Sequence, residues 1–556
     1  MMNATPSPSI HAMKPRDLAT ITLAMAMSAA GASESPRIVN LYNFIRNSDY
    51  RLNDSENVLL NATRHQIDLI KPTGLPATWA LQYDALINPK YQELLKQIPP
   101  SHEIGAWWEI PRPLVEKAGV KWRGHNHEWD SAANVGFSPG YTPDERRRLV
   151  DIYMADFKKI YGKYPKSAGS WFIDEVTLDH MAKRYGIVAS CNCKDQIGTD
   201  GYTLWGGYWN QAYYPSKINA YMPAQTADGG IAVPVFRMLG SDPIYQYGRV
   251  NGMFTLEPVY GNSGASEPWT RWFFRNMIEQ PALAFAYTQA GQENSFGWDA
   301  MKTGLTMQVA LLEKESKAGR IRVMTLADAG TWFKSRHPLT PPTSVVCIDD
   351  WKNEGRGTVW YNSRFYRMNL LWEKGALLIR DIHRFDEKIV SVTHEMPLTT
   401  NSLAYGTLTV MDGSMWSDKQ RAAAMPVAIG PDNAASALVP DGPPVVRELT
   451  PTDLGITQPL VGGGTLHIAL RETSAVFSCR NPDGSPQRWA WDLTGGDAQK
   501  RAIKEITPSR VIYHGSDSDY DIRLDAGSGT FEQLADGSIR ILAGSKGQIV
   551  LKLGGF

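Results

Sequence analysis

The chain has 556 residues, which is enough for two or three domains with a large core. Lysine and arginine together number 57, and so do aspartate and glutamate, so the formal net charge is zero. This balance argues against a nucleic-acid-binding protein, because such proteins usually carry a basic excess.

The N-terminal segment has the pattern of a secretory signal. Lys14 and Arg16 form a basic start, an apolar run covers Leu18–Ala30, and small residues suited to cleavage follow it. The run is too short to span a membrane, and no other stretch is apolar enough to do so. We therefore expect residues 1–35 to be a signal peptide and N-terminal segment, and the protein to be periplasmic or secreted.

Between residues 36 and 338, strand-like and helix-like patterns alternate. The predicted strands cover 37–45, 75–84, 102–109, 167–173, 187–195, 231–236, 282–289 and 321–325. The longer predicted helices cover 56–71, 142–161, 268–279 and 299–317. This alternation predicts an α/β fold, a parallel (β/α)7-8 barrel rather than an open sheet. No Gly-x-Gly-x-x-Gly or Walker sequence follows the first strand, so we expect no nucleotide and no cofactor.

The pattern changes after residue 338. The stretch Pro338–Pro342 has the composition of a linker, and short alternating runs separated by Gly and Pro turns follow it. This predicts an all-β, sandwich-type accessory region over 339–556, in which we find no catalytic motif. The four cysteines lack a zinc-ligand spacing, and we expect buried thiols.

Acidic residues gather after the predicted strands, where the mouth of a parallel barrel would lie. They are Asp84, Glu109, Asp174, Glu175, Asp195, Asp242, Glu257, Glu293 and Asp328. Asp174 and Glu175 stand at the junction of the fourth strand and its helix. Asp174 could be a catalytic group or could cap that helix, and both interpretations stay open. Each acid alone could be a structural partner of an arginine, but the set as a whole indicates carbohydrate chemistry at the mouth of the barrel.

Long loops rich in aromatic residues follow several of these strands. We expect a mouth built from them, with Trp107, Trp129, Trp171, Trp205 and Trp209 near it. Aromatic rings present flat apolar faces that suit the C–H faces of sugars, although tryptophan also fills large cores. The loop histidines His125 and His127 fit substrate contacts better than metal ligands, because a metal site needs three or more converging groups.

The sequence Ser170-Trp171-Phe-Ile-Asp174 resembles the strand-four motif of α-mannosidase-like retaining glycosidases with a (β/α)7 barrel. In that group the Trp-x-Ile-Asp motif supplies the nucleophile. The stretch from His102 to Gly105 is similar to a strand of polysaccharide deacetylases in the same superfamily. Residues 191–196 and 202–211 resemble uncharacterised bacterial glycosyl-hydrolase-like proteins, a similarity that covers most of the barrel and brings no known substrate.

The metal ligands of these families have no counterpart here. Such deacetylases use an Asp after strand one and a His-x-x-x-His after strand three, where this chain has Asn43, Trp107 and Pro111. The mannosidase group needs a His-x-Asp on strand one, which Asn40 and its neighbours do not supply. We therefore predict no metal site of the usual kind, while a metal role of the loop histidines stays open.

These observations predict an exported glycoside hydrolase. Such an enzyme needs one carboxyl group that donates a proton and another that acts as nucleophile or activates water. We expect Asp174 as nucleophile or base and Glu293 as general acid, with Glu175 and Glu257 in reserve. The expected substrate-binding residues are Asn43, Gln82, Trp107, Glu109, His125, His127, Trp171, Lys194, Trp205, Trp209, Arg237 and Asp242.

Two other functions remain open. The protein could be a metal-dependent carbohydrate deacetylase, or a non-catalytic glycan-binding protein on an inactive barrel. In each case we expect an oligosaccharide, polysaccharide or glycoconjugate partner. Lys194 and Arg237 could bind an acidic sugar. The sequence leaves open the sugar, the linkage, the stereochemical course and homo-oligomerisation.

Overall fold

The computed structural model describes residues 35–199, 201–250, 252–515 and 518–556. The expected signal peptide therefore lies almost wholly outside the described residues. The strands of the first part of the chain are β1 Arg37–Ile45, β2 Thr78–Leu81, β3 Glu103–Trp107, β4 Ser167–Gly169, β5 Ala189–Asn192, β6 Gln196–Thr199, β7 Tyr202–Leu204, β8 Ala212–Tyr213, β9 Pro215–Ser216, β10 Asn219–Pro223, β11 Val235–Arg237, β12 Ala286–Ala290 and β13 Arg322–Met324.

Seven of these strands form the parallel part of a nearly closed barrel, in the order β12-β1-β2-β3-β4-β5-β11, and β13 pairs with β1. The strand β8 adds to β11 in the antiparallel direction. The expected barrel is thus present, but it is mixed rather than all-parallel. The short β8 lies in the long loop after β5, where the sequence predicts an aromatic loop at the mouth and no strand.

The barrel strands β11 and β12 are not paired with each other, and side-chain amides bridge this seam between them. The Gln211 Oε1 accepts a hydrogen bond from the Tyr287 backbone N–H at 2.9 Å. The Gln289 Oε1 accepts one from the Leu239 N–H at 3.1 Å. A cavity of about 40 Å³ follows this seam, and no carboxylate lines it. The amides satisfy backbone groups that a closed ladder would otherwise pair.

The inner and outer faces of the barrel follow the two-residue period of its strands. On β1, Tyr42 and Phe44 belong to the apolar cluster inside the barrel. Leu41 and Ile45 belong to the cluster beneath the helices. The next inward position after Phe44 is Arg46, which therefore enters the mouth.

The helices are α1 Ser55–Ile70, α2 Tyr83–Ile87, α3 Pro89–Leu95, α4 Arg112–Lys117, α5 Pro143–Tyr161, α6 Glu175–Tyr185, α7 Glu267–Glu279, α8 Trp298–Lys317, α9 Leu326–Arg336 and α10 Asp497–Ala502. The four long helices expected from the sequence are all present. The helix α5 begins with the capping box that its sequence indicates, because the Thr142 side chain accepts from the Glu145 N–H and the Glu145 carboxylate accepts from the Thr142 N–H.

The last part of the chain is built of antiparallel sheets. Its strands are β14 Thr343–Cys347, β15 Gly357–Asn362, β16 Tyr366–Glu373, β17 Ala376–Arg384, β18 Leu403–Ala404, β19 Leu408–Asp412, β20 Ala423–Ile429, β21 Ala435–Ala437, β22 Val445–Glu448, β23 Leu454–Pro459, β24 Thr465–Arg471, β25 Ser474–Arg480, β26 Trp489–Thr494, β27 Ile503–Thr507, β28 Arg510–Tyr513, β29 Tyr520–Leu524, β30 Gly529–Gln533, β31 Ile539–Ala543 and β32 Gln548–Lys552. One sheet has the order β14-β15-β16-β17-β20-β26-β31-β30, and the other β22-β23-β24-β25-β32-β29-β28-β27. The two sheets share one apolar core.

The barrel and the C-terminal sheets are closely joined. Residues 36–556 form one compact unit. The C-terminal strand β18 pairs in parallel with β7 of a barrel loop. Because of this continuity, a domain boundary at residue 338 stays a prediction. The four cysteines are buried and unpaired. No helix in the described ranges is both long and apolar enough to cross a membrane.

Candidate active site at the barrel mouth

One arginine links two carboxylates at the mouth. The Arg46 Nε and Nη2 atoms each lie 2.7 Å from an oxygen of Glu109, and Nη1 lies 2.6 Å from Glu293 Oε2. All three side chains are nearly inaccessible to solvent. Burial would lower the pKa of Arg46, but the charges of Glu109 and Glu293 raise it well above its usual range. The guanidinium therefore stays charged and pairs with both acids. Burial raises the pKa of Glu109, against the opposing charge of Arg46.

A third carboxyl group has a very different environment. Glu257 follows β11, is 4% exposed, and accepts a hydrogen bond of 2.9 Å from Thr255 Oγ1. Burial raises the pKa of Glu257 to about 7, against the opposing effects of Thr255 and the Lys194 charge, and the charge of Glu293 raises it further. Glu257 therefore keeps its proton near neutral pH.

The buried Lys194 lies beside this carboxyl group. Its Nζ donates a long hydrogen bond of 3.3 Å to the Asp195 carbonyl. Burial lowers the pKa of Lys194, and the nearby Glu257 opposes that shift. Lys194 thus supplies a positive or neutral donor next to the protonated acid, at the position where the sequence predicted a substrate contact.

The mouth contains a small cleft of about 40 Å³. It is lined by Arg46, Arg51, Trp129, Ser131, Phe137, Trp171, Tyr202 and Glu293. The Arg46 guanidinium lies 4.3 Å from the centre of the Trp129 ring, a cation–π distance. The cleft thus places flat aromatic walls next to a carboxylate held by an arginine.

Several buried polar atoms around the carboxylates have no hydrogen-bond partner within the described part of the chain. They are Gln82 Oε1, Trp129 Nε1 and Gln292 Oε1. The other end of the Gln82 amide donates to Glu109 at 2.8 Å. A buried polar group without a partner is costly, so these atoms require water or the hydroxyl groups of a ligand.

Asp174 has the contacts of a helix cap. Its carboxylate accepts from the Thr177 N–H at 2.9 Å and the Thr177 hydroxyl at 2.6 Å, and also from the Ser138 hydroxyl. Arg146 Nη1 adds an ion pair at 3.1 Å, and both side chains are fully buried. Burial alone would raise the pKa of Asp174, but the Arg146 charge and the hydroxyl donors hold it below its usual value. The catalytic role expected for Asp174 stays untested, and its geometry favours the capping role.

Glu175 also points away from the cleft. Its Oε1 lies 2.9 Å from His394 Nδ1, and its Oε2 accepts from the Ala220 N–H at 3.3 Å. His394 belongs to the segment after β17, so this contact ties the start of α6 to the C-terminal region. We assign Glu175 no reacting role.

Three other expected binding residues are occupied by structural contacts. Asn43 faces α1, where its Oδ1 accepts from Gln66 Nε2 at 3.3 Å. Asp242 accepts from Trp269 Nε1 at 2.8 Å and from Trp351 Nε1 at 3.0 Å. Arg237 is paired with Asp195 at 2.7 Å.

The two loop histidines lie on the outside of the loop between α4 and α5. His125 Nδ1 is 2.9 Å from Asp130 Oδ2, and the His125 side chain is 83% exposed. The His127 ring stacks on Tyr50 at 4.8 Å. Within the described ranges neither belongs to a set of three His, Cys, Asp or Glu side chains with ligand atoms within 4.8 Å of one another.

The five expected tryptophans divide into two groups. Trp171 is partly exposed and, with Trp129, lines the cleft, while Trp107 lies beneath them and meets the Trp171 ring edge at 5.8 Å. Trp205 and Trp209 are buried against the C-terminal sheet, which corrects the expectation that they line an open mouth.

Both contacts with the sheet are specific. Trp209 stacks on Trp360 at 4.1 Å with parallel ring planes, and Trp205 Nε1 donates to Asp412 at 2.6 Å. The partner residues lie more than 150 positions away in the sequence, so no local pattern indicates these contacts.

The sequence did not single out several residues of the cleft. Arg46, Phe137 and Tyr202 line the cleft but are not among the residues chosen from the sequence. The alternation along β1 is a signal that could have identified Arg46. Gln292 could have been noticed as the neighbour of Glu293.

No protein-family model and no curated protein matches the sequence. Among solved structures, a candidate glycoside hydrolase/deacetylase from Parabacteroides distasonis is 16% identical, with a TM-score of 0.51 over 67% of this chain and 90% of that chain. A candidate polysaccharide deacetylase from Mycobacterium smegmatis is 12% identical, with a TM-score of 0.35 over 56% and 95% of the two chains. A protein of glycosyl hydrolase family 38 from Enterococcus faecalis is 8% identical, with a TM-score of 0.19 over 93% and 85%.

The first of these structures shows a shared fold. An identity of 16% shows no more than this shared fold. The two lower TM-scores carry no argument about this chain.

Proposed function

We propose that this protein is an exported glycoside hydrolase, with Glu257 as general acid and Glu293 as nucleophile or general base. The observation that carries the proposal is the contrast between the two carboxyl groups. An arginine holds Glu293 at 2.6 Å, whereas burial raises the pKa of Glu257 to about 7. A carboxyl group that holds its proton to a raised pH, together with a second one that is paired with an arginine, suits acid–base hydrolysis.

The reaction divides between these two groups. Glu257 gives its proton to the glycosidic oxygen as the bond to the leaving sugar breaks. Glu293 either attacks the anomeric carbon or removes a proton from the water that attacks it. Arg46 orients Glu293 and is itself fixed by Glu109. In this assignment Glu293 is the nucleophile or base, whereas the sequence predicted it as the general acid. Glu257, a second-choice candidate of the sequence analysis, becomes the general acid.

The surroundings of the carboxylates support a carbohydrate substrate. Trp129, Trp171, Phe137 and Tyr202 line the cleft and offer apolar ring faces. The unpaired amide and indole atoms nearby suit the hydroxyl groups of a sugar. The structural neighbour with the higher TM-score is itself named as a candidate glycoside hydrolase/deacetylase.

The test is product release from a panel of polysaccharides, oligosaccharides and aryl glycosides. We expect reducing sugar or aglycone from the wild type. We expect none from the double variant Glu257→Gln, Glu293→Gln, and normal release from the control Glu128→Gln in the exposed loop. Acetate release from acetylated sugars without cleavage of a glycosidic bond would contradict the proposal and support a deacetylase.

A further inference from the structure

A buried group of three potential metal ligands lies in the C-terminal sheet. Asp381 and His383 are two residues apart on β17 and share one face of the sheet. Asp412 ends β19 and is the register partner of Asp381, and a bulge in the pairing lies between Ile382 and His383. The ligand atoms of Asp381, His383 and Asp412 all lie within 4.8 Å of one another. Their side chains are at most 1% exposed.

The distances within this group are unusual for a hydrogen-bonded ion pair. His383 Nε2 lies 3.4 Å from Asp381 Oδ2 and 3.3 Å from Asp412 Oδ2. It makes no hydrogen bond of normal geometry within the described residues. A charged imidazole normally approaches a carboxylate to about 2.7–2.9 Å. Here the nitrogen stands between two oxygens and close to neither.

These separations match the edges of a metal coordination shell. Zinc binds imidazole nitrogen and carboxylate oxygen at about 2.0–2.2 Å, and tetrahedral geometry then puts the ligand atoms roughly 3.3 Å apart. The His383 nitrogen lies 3.3–3.4 Å from one oxygen of each aspartate, a spacing at which the three side chains could share one cation. The Tyr247 hydroxyl lies 3.1 Å from Asp381 Oδ2 and could supply the fourth metal ligand.

Each ligand is oriented by an outer contact. Arg367 holds both oxygens of Asp381 at 2.8–2.9 Å, and Trp205 Nε1 holds Asp412 Oδ2 at 2.6 Å. Thr409 Oγ1 lies 3.3 Å from His383 Nδ1 and can fix the ring tautomer that leaves Nε2 to a metal. Such outer partners are typical of metal ligands in proteins.

We propose that Asp381, His383 and Asp412 form a structural site for a divalent cation of the zinc type. A structural zinc site has four ligands, and the Tyr247 hydroxyl is the candidate for the fourth. Trp205 and Tyr247 belong to loops of the barrel, so a bound ion would fasten the C-terminal sheet to those loops. The proposal is independent of the reaction at the mouth. The competing state is a proton on His383 in place of the ion.

The test begins with protein purified without a metal-affinity tag from zinc-supplemented culture. Elemental analysis should find one zinc ion per chain. A strong chelator should remove it and lower the melting temperature, and added zinc, but not magnesium, should restore both. Ligands that bind only the folded state raise its apparent stability in this way.

Substitutions complete the test. His383→Gln and Asp412→Asn should lose the zinc, whereas His125→Gln should retain it, because His125 belongs to a separate exposed His–Asp pair. If the two site variants do not fold, the chelator and zinc cycle on the wild type decides. A metal-free wild type whose melting temperature does not respond to zinc would overturn the proposal, and His383 would then carry a proton.

Discussion

Arg46 Nη1 lies 2.6 Å from Glu293 Oε2, while the Nε and Nη2 atoms of the same guanidinium hold Glu109. One side chain at the end of β1 therefore fixes the orientation of a carboxylate that follows β12. Among the described residues, no arginine forms such an ion pair with Glu257, which relies on Thr255 and the charge of Lys194. In the proposed mechanism this difference separates the two acids into a base and a proton donor.

The first prediction concerns Arg46. Arg46→Lys keeps the charge but cannot hold both carboxylates in the same geometry. We expect kcat/KM to fall by about 10²-fold, the effect of a misplacement on the order of 1 Å. Steady-state kinetics on the best substrate measure this. Arg147→Lys is the control, since Arg147 lies on α5 away from the cleft, is 46% exposed and should change kcat/KM little. Equal effects of the two changes would contradict the positioning role.

The second prediction concerns Asp174. Asp174→Asn leaves Arg146 buried without its charged partner and should cost about 3 kcal/mol of the free energy of unfolding. The fraction that stays folded should keep its turnover. Denaturant unfolding and active-site titration measure the two quantities, with Asp179→Asn on the same helix as control. A stable variant that has lost turnover would restore the catalytic role first expected from the sequence.

The pH dependence of stability offers a third prediction for the same residue. The pKa of Asp174 is lower in the folded than in the unfolded chain, so its contribution is present above the unfolded value of about 3.9. That contribution is lost as the pH falls through the folded value. The wild type should therefore lose more stability than Asp174→Asn when unfolding is measured from pH 6 to acid pH. Parallel curves for the two proteins would contradict this account.

The fourth prediction compares two tryptophans. Trp209→Ala removes a ring that is 1% exposed and stacked on Trp360, and should cost about 3–5 kcal/mol of stability. Trp171→Ala removes a partly exposed ring of the cleft and should weaken substrate binding with a smaller loss of stability. Thermal unfolding and glycan binding, measured on both variants, test the contrast. Weak binding with normal stability in Trp209→Ala would support the open mouth first expected.

Much of the barrel could be predicted from the sequence because its signals are local. The strand–helix alternation and the capping box at Thr142 depend on residues a few positions apart. The alternation of inward and outward side chains along β1 can also be inferred from the sequence. It assigns Asn43 to the helix side of β1 and Arg46 to the mouth, although the sequence analysis chose Asn43.

The rest of the site depends on contacts between distant residues. Trp205 meets Asp412 across 207 positions, and Arg367 reaches Asp195 across 172. The pKa of Glu257 depends on burial and on charges from other strands. The spacing of residues along the sequence does not indicate these contacts. The sequence alone therefore could not identify which of the nine acids at the predicted mouth are catalytic candidates.

The central claim is that Glu257 is the proton donor and Glu293 the nucleophile or general base. The most direct measurement is kcat/KM against pH for the wild type, Glu257→Gln and Glu293→Gln, on aryl glycosides with good and poor leaving groups. The acid must be protonated, so wild-type kcat/KM should fall as the pH rises through about 7. Glu257→Gln should lose this fall and retain activity only on good leaving groups, which need no proton, whereas Glu293→Gln should fail on both. If the fall persists in Glu257→Gln, or if both variants respond alike to the leaving group, the assignment is contradicted.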